Sequence, residues 1–262
     1  MRKKQEGGAN YFASMTDMMV GILFIFIIMI AYFAFQIKED NQKQNPLLIY
    51  IDRGEQFRQG IAEKVADDLR KNNIDAQVSP KNPGVVTLKG SGLFGVGQSK
   101  IDSLPNSQEK IDYISDVLAK VMRCYVYTAA NSAISYKCDN PDSIYLESVY
   151  IEGHTDNQGV GQGLTLPDGS KNNLELSSKR ATNTYTEMVL KNPVLESYKS
   201  PEKEQVLSVA AYGEQRPLAS NESESGRAAN RRIDIRFVMW VPKSKEELSK
   251  FLQNQSATKP QN

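Results

Sequence analysis

Residues 11–35 read Tyr11-Phe12-Ala13-Ser14-Met15-Thr16-Asp17-Met18-Met19-Val20-Gly21-Ile22-Leu23-Phe24-Ile25-Phe26-Ile27-Ile28-Met29-Ile30-Ala31-Tyr32-Phe33-Ala34-Phe35. As a helix, a run of about 25 such residues is long enough to cross a hydrocarbon core with some tilt. Asp17 is its one charged member. An ionised carboxylate at bilayer depth costs roughly 3 kcal/mol on insertion scales, so it is tolerated where it faces protein or a water-lined path. A carboxylate that alternates between filled and empty forms can take an ion from one side and release it to the other, which is the chemistry of a relay. The plainer alternative is an acid near the membrane surface: Asp17 lies about 9 Å of helix rise beyond Tyr11.

Working outward, Arg2, Lys3 and Lys4 precede the run with one acid, Glu6, whereas Lys38, Glu39, Asp40 and Lys43 follow it with mixed sign. The basic end stays in the cytoplasm by the positive-inside rule, and the chain beyond Gln36 lies outside. A cleaved signal peptide is disfavoured, because its apolar core needs only about 7–15 residues and a small-residue cleavage site should follow. The expected organisation is a cytoplasmic N-terminus (1–10), a transmembrane helix (11–35), a polar connector (36–46), one outer domain (47–242) and a flexible tail (243–262) that begins as a short helix fading into disorder.

With 262 residues, a formal charge of +1 and 24% charged residues, the chain beyond the anchor holds one ordinary domain. Near-neutral balance without a clustered basic face argues against a nucleic-acid partner. Cys124 and Cys138 both fall on the outer side. In an oxidising compartment a disulfide closing that short loop is expected, worth about 3 kcal/mol by the chain-entropy account, with free thiols as the alternative. With His154 as the only histidine, the cysteine spacing does not make a zinc site. Neither a metal nor a cofactor is implied.

Phe57, Ile61, Val65 and Leu69 recur every four residues beside Ala62 and Ala66, which predicts a helix with one apolar stripe. Val85–Leu88 reads as a strand, followed by glycines 90, 92, 95 and 97. These do not form a phosphate loop, because no Lys-Ser or Lys-Thr follows and no helix opens in nucleotide-binding order. A helix capped by Asn106 and running to Met122, a strand at Val149–Glu152, a helix at Leu174–Leu190 and strands at Val206–Tyr212 and Ile233–Val241 complete the pattern. The stretch between the cysteines reads as an insertion or hairpin. The fold class expected is α+β, a sandwich with helices packed on one face of a mixed sheet, behind a single N-terminal transmembrane helix.

Four motifs in order, Ile151-Glu152-Gly153-His154-Thr155-Asp156, Asn173 to Ala181 with Arg180, Gly213 with Pro217 and Asn221, and Arg227 to Ile235, resemble the OmpA-like peptidoglycan-binding domain over roughly residues 85–240. The resemblance implies that Asp156 binds the ammonium, and Arg180 the carboxylate, of a diaminopimelate side group in the wall's peptide stem. Arg suits a carboxylate because its planar fork donates two parallel hydrogen bonds. Thr155, Asn173 and Leu176 flank the pair as contacts, and Arg231 is a secondary candidate. A structural Asp–Arg salt bridge is the competing reading. His154 is expected to stabilise a turn, and Asn230 and Arg232 to stabilise the fold. Glycan hydrolysis is disfavoured: Glu152 and Asp156 sit four apart at a strand end without acid–base pairing, and no Ser-His-Asp order is apparent.

An early Asp in one N-terminal span ahead of such a domain is similar to MotB-like stator subunits, both of the flagellar motor and of the Zorya anti-phage system, whose member is ZorB. This resemblance implies a dimer of the chain inside five larger multi-pass subunits of MotA/ZorA type, with ion flow at Asp17 driving ring rotation and peptidoglycan holding the centre still. Protons are the expected ion, since Ser14 and Thr16 supply few oxygens for sodium. The sequence Ser14-Met15-Thr16-Asp17-Met18-Met19, the short N-terminus and connector, and the cysteine-bounded insertion depart from the flagellar pattern and favour the defence-type subunit, with a flagellar stator or a passive tether as alternatives.

Overall fold

The computed structural model describes residues 7–42, 45–127, 140–159 and 164–258. It forms two units, Met1–Ile49 and Tyr50–Asn262. The first holds helix α1 (Gly7–Gln42). Within it Met15–Gln36, of mean hydropathy 2.7, is the one segment among the described residues long and apolar enough to cross a membrane, and none of its apolar window is buried within the chain. Ile22, Phe24, Ile25, Phe26 and Ile27 are all exposed, so the helix is apolar around its whole circumference. It continues past Phe35 to Gln42, so the first part of the expected connector is helical.

Most of helix α2 (Pro46–Lys71) belongs to the second unit, with Ile61, Ala62, Val65, Ala66 and Leu69 buried as their spacing predicts. Phe57 is half-buried and meets Tyr125 edge-on. The sheet contains β1 (Ala76–Val78), β2 (Val85–Lys89), β3 (Leu146–His154), β4 (Leu207–Gly213) and β5 (Arg232–Met239). Their spatial order is β1-β2-β5-β3-β4. Only β3 and β4 are parallel, joined through α4 (Asn173–Lys191), which packs on both, and α3 (Ser107–Met122) packs against α4. The sheet is therefore mixed, as expected for an α+β domain.

Period-two alternation sorts the strands. Ile233, Ile235, Phe237 and Met239 of β5, with Val149 and Ile151 of β3, are buried apolar residues, while Arg232, Asp234, Arg236, Glu152 and His154 occupy the opposite face. Asp234 is held below the usual carboxylate range: burial opposes this, but His154, the Arg232 charge and Thr87 outweigh it.

Gly153 fixes how α4 sits on β3. A Cβ built there would lie 2.0 Å from the Ser177 carbonyl oxygen, so only glycine permits this approach. Gly153→Ala should lower stability by about 1–3 kcal/mol through overpacking. Chemical denaturation of the full chain checks this, and an unchanged midpoint would refute it.

Two expectations differ from the structure. Asn106 occupies the cap position of α3 but is left-handed (φ 61°) and makes no capping bond from its side chain. The buried Ser107 hydroxyl instead bonds the Leu104 carbonyl at 2.8 Å. His154 ends a strand rather than a turn, stacked 5.2 Å from Tyr212. After Pro242, where a short helix fading into a flexible tail is expected, the chain forms α5 (Lys245–Thr258), with Leu248 buried and Phe251 packed 4.6 Å from Trp240 and 5.5 Å from Tyr145. Two apolar residues three apart anchor an otherwise polar helix. Cys124 is disulfide-bonded, and Cys138 lies outside the described residues, as does most of the expected insertion (128–139).

Candidate functional site

The sequence-derived site residues converge where β3 ends and the loop to α4 begins. Thr155 continues β3's pairing by donating its backbone N–H to the Gly213 carbonyl at 2.9 Å, and the next residue, Asp156, turns away from the sheet. Asp156 Oδ1 accepts the Gln158 N–H at 3.0 Å, and Oδ2 accepts Arg231 Nη1 at 2.5 Å. Arg231 also gives Nη2 to Glu224 at 2.6 Å. Partial burial works against the Arg231 charge, but its bonds to Glu224 and Asp156 prevail and raise its pKa above the ordinary value.

The start of α4 is set by a reciprocal cap. Asn172 Oδ1 accepts the Glu175 N–H at 2.9 Å, and Glu175 accepts the Lys171 N–H at 2.8 Å. This places Asn173 beside the acid, where its amide donates to the Asp156 carbonyl at 3.1 Å and to Glu214 at 2.7 Å. Two turns along α4, Arg180 is 4% exposed. Its Nε donates to the Gln98 carbonyl at 2.8 Å and its Nη2 to the Gly95 carbonyl at 3.2 Å, with Phe94 under the guanidinium at 5.2 Å. No carboxylate lies within ion-pair distance of it among the described residues. Burial pulls its pKa down to about 10, the Asp168 and Asp156 charges oppose that pull, and Arg231 adds to it. Arg180 is still a cation at neutral pH.

The acid and the two guanidiniums thus form one electrostatic group. Arg231, expected as secondary, is Asp156's direct partner, and Arg180 stands behind them clamped by the glycine-rich loop. Thr155 Oγ1 is buried without a hydrogen-bond partner among the described residues. Leu176 is buried, whereas Leu174 is exposed and lines a cleft of about 380 Å³ with Lys171, Asn173, Tyr212 and Glu214. Glu214, Glu224 and the carbonyls of Gly95 and Gln98 carried no signal in the sequence. Asn230 bonds the backbone of Leu218 and Ala219 and so holds the loop after β4. Glu152 is buried against Arg236, bonded twice at 2.8 Å, and unavailable as an acid–base partner for Asp156.

A β-α-β core with the acid at the end of β3 and the guanidinium on α4 defines the class, and the OmpA family model matches residues 93–231, more than half of the chain. The chain belongs to the OmpA family. It is similar to Motility protein B of Bacillus subtilis (strain 168), with 33% identity over 88 residues, covering 34% of this chain and 29% of that protein. Among solved structures it resembles a putative MotB-like protein from Desulfovibrio vulgaris (18% identity, 71% of this chain, 96% of that one, TM-score 0.48). It also resembles the cell wall anchor of the T6SS from Pseudomonas aeruginosa (22% identity, 69% and 99%, TM-score 0.44). The periplasmic domain of Helicobacter pylori MotB matches at 18% identity (65% and 85%, TM-score 0.40).

Proposed function

We propose that this chain is a peptidoglycan-anchored, single-pass inner-membrane subunit of a proton-driven rotary motor. The observation that carries the reading is one chain that joins Asp17, set in the apolar helix α1, to an OmpA-family domain whose β3–α4 junction gathers Asp156, Arg231 and Arg180. Arg2, Lys3 and Lys4 ahead of α1 support a cytoplasmic N-terminus and a periplasmic OmpA-family domain. A dimer of the chain sits inside a ring of multi-pass partner subunits, and the wall holds that dimer still while the ring turns. The finer assignment is anti-phage defence, supported by the Ser14–Met19 pattern and the cysteine-bounded insertion. A flagellar-type stator is the alternative.

At the wall, a ligand ammonium meets Asp156, whose oxygens each keep an acceptor site beyond the bonds to Arg231 and Gln158. A ligand carboxylate meets Arg231 or the remaining Nη1 of Arg180. Charge-assisted pairs of this kind gain most when desolvated. Asp156→Ala and Arg180→Ala should each weaken co-sedimentation of the full chain with purified sacculi by at least about tenfold, roughly 1.4 kcal/mol. Undiminished pelleting with a native thermal transition would mean that these residues serve only the fold.

A further inference from the structure

The polar face of the sheet carries a second charged cluster that wall binding does not use. Neighbours in sequence, Arg231 and Arg232 serve different sites: Arg231 reaches Asp156, while Arg232 Nε reaches the buried Asp234 at 2.9 Å. Strand register sets Arg232, Asp234 and Arg236 opposite His154, Glu152 and Tyr150. The segment after β4 closes over them, with Arg232 Nη2 on the Arg216 carbonyl at 3.1 Å and Lys81 Nζ on the Leu218 carbonyl at 2.9 Å. Between these groups is a cleft of about 320 Å³ whose polar lining includes Lys81, His154, Arg216, Arg232 and Arg236.

Glu152, His154 and Asp234 bring their ligand atoms within 4.8 Å of one another, a set that could suit a metal ion. Both carboxylates, however, already accept from guanidiniums, and neither lines the cleft, so a cation approaching it meets positive charge. The four basic side chains Lys81, Arg216, Arg232 and Arg236 against the two carboxylates Glu152 and Asp234 leave two positive charges uncompensated. Arg216 is exposed, and its guanidinium lies 3.6 Å over the Tyr212 ring without a hydrogen-bond acceptor among the described residues. Stacking holds that fork oriented with its donors unspent. Lys81 keeps two N–H donors, and Arg236 spends only Nε and Nη2 on Glu152.

We propose that this cleft binds a phosphate group. A carboxylate brings one charge and two oxygens, whereas a phosphate monoester brings up to two charges and three oxygens, which matches the uncompensated charge and the free donors. The group comes either as the free ion or as an ester of the kind found in lipid headgroups.

The test is calorimetric titration of the full chain in non-ionic detergent with inorganic phosphate, and separately with glycerol phosphate as a headgroup without its tails. The wild type is expected to bind, and the double variant Lys81→Ala/Arg216→Ala to bind at least about tenfold more weakly while pelleting with sacculi as the wild type does. Binding of both ligands supports an esterified source, and binding of inorganic phosphate alone supports the free ion. The proposal is overturned by no binding in the wild type, by undiminished binding in the double variant, which would put the phosphate elsewhere, or by lost pelleting, which would fold the cleft into the wall site.

Discussion

Asp17→Asn is expected to leave assembly and wall binding intact and to abolish ion-driven activity altogether. Asparagine preserves the shape and much of the polarity of the side chain but cannot release a proton, so it separates a relay from a merely polar position in the helix. The scale of the effect follows from the coupling. One elementary charge moved through the membrane potential releases about 2.3 kcal/mol per 100 mV, and no other Asp, Glu, Lys, Arg or His lies between Tyr11 and Phe35 to carry it. In a host that expresses the chain with the multi-pass subunit proposed as its partner, phage protection should fall to the level of cells lacking the pair. Swimming in a stator-deficient strain is the parallel readout for a flagellar role. A passive tether predicts the opposite, because wall attachment does not depend on Asp17. Retained activity in Asp17→Asn, with normal membrane levels, would end the motor reading and leave the tether standing.

How much of this was legible depended on whether the signal is local. The span announces itself because transfer into lipid is nearly additive along a helix, and the charge asymmetry of its flanks is equally one-dimensional. β5 and α4 were legible because their burial repeats every second residue and every third or fourth. Asp156 and Arg180 came from ordered motifs. The pairing of Asp156 with Arg231 did not, because it joins residues 75 positions apart and is made by the sheet. The clamp on Arg180 was invisible for another reason: the Gly95 and Gln98 carbonyls exist at every position and become specific only through loop shape. Strand β1, three residues long, is too short for a period to emerge. Helix α5 had a readable start, since Ser244 and Glu247 form the Ser-x-x-Glu pattern and Ser244 Oγ accepts the Glu247 N–H at 3.2 Å.

The largest stability effect is expected at Asp234, and it links the fold to the site. Its carboxylate accepts Arg232 Nε at 2.9 Å and Thr87 Oγ1 at 2.7 Å, with His154 Nε2 at 3.3 Å, and Asp234, Arg232 and His154 are all buried. Asp234→Ala strands a buried guanidinium, which typically costs about 3–5 kcal/mol. For a domain of this size that lowers Tm by roughly 6–20 °C. The pair's acid dependence has a definite sign. Because the folded carboxyl titrates below its ordinary value of 3.8, its contribution is present above that value and is lost as pH falls through the lower folded one. Asp234→Asn should therefore be less stable than the wild type near neutrality and should lose less further stability below about pH 4. Replacing both partners, as Asp234→Leu with Arg232→Met, should recover much of the loss, since the penalty lies in the orphaned charge rather than in the missing attraction. Arg232 opens β5 directly after Arg231, so loosening it also frees the guanidinium that orients Asp156. Asp234→Ala should accordingly weaken sacculus binding even at temperatures where the domain is folded. A Tm within about 1 °C of the wild type would show that the buried network is neutral to stability, and the position of Arg231 would then need another cause.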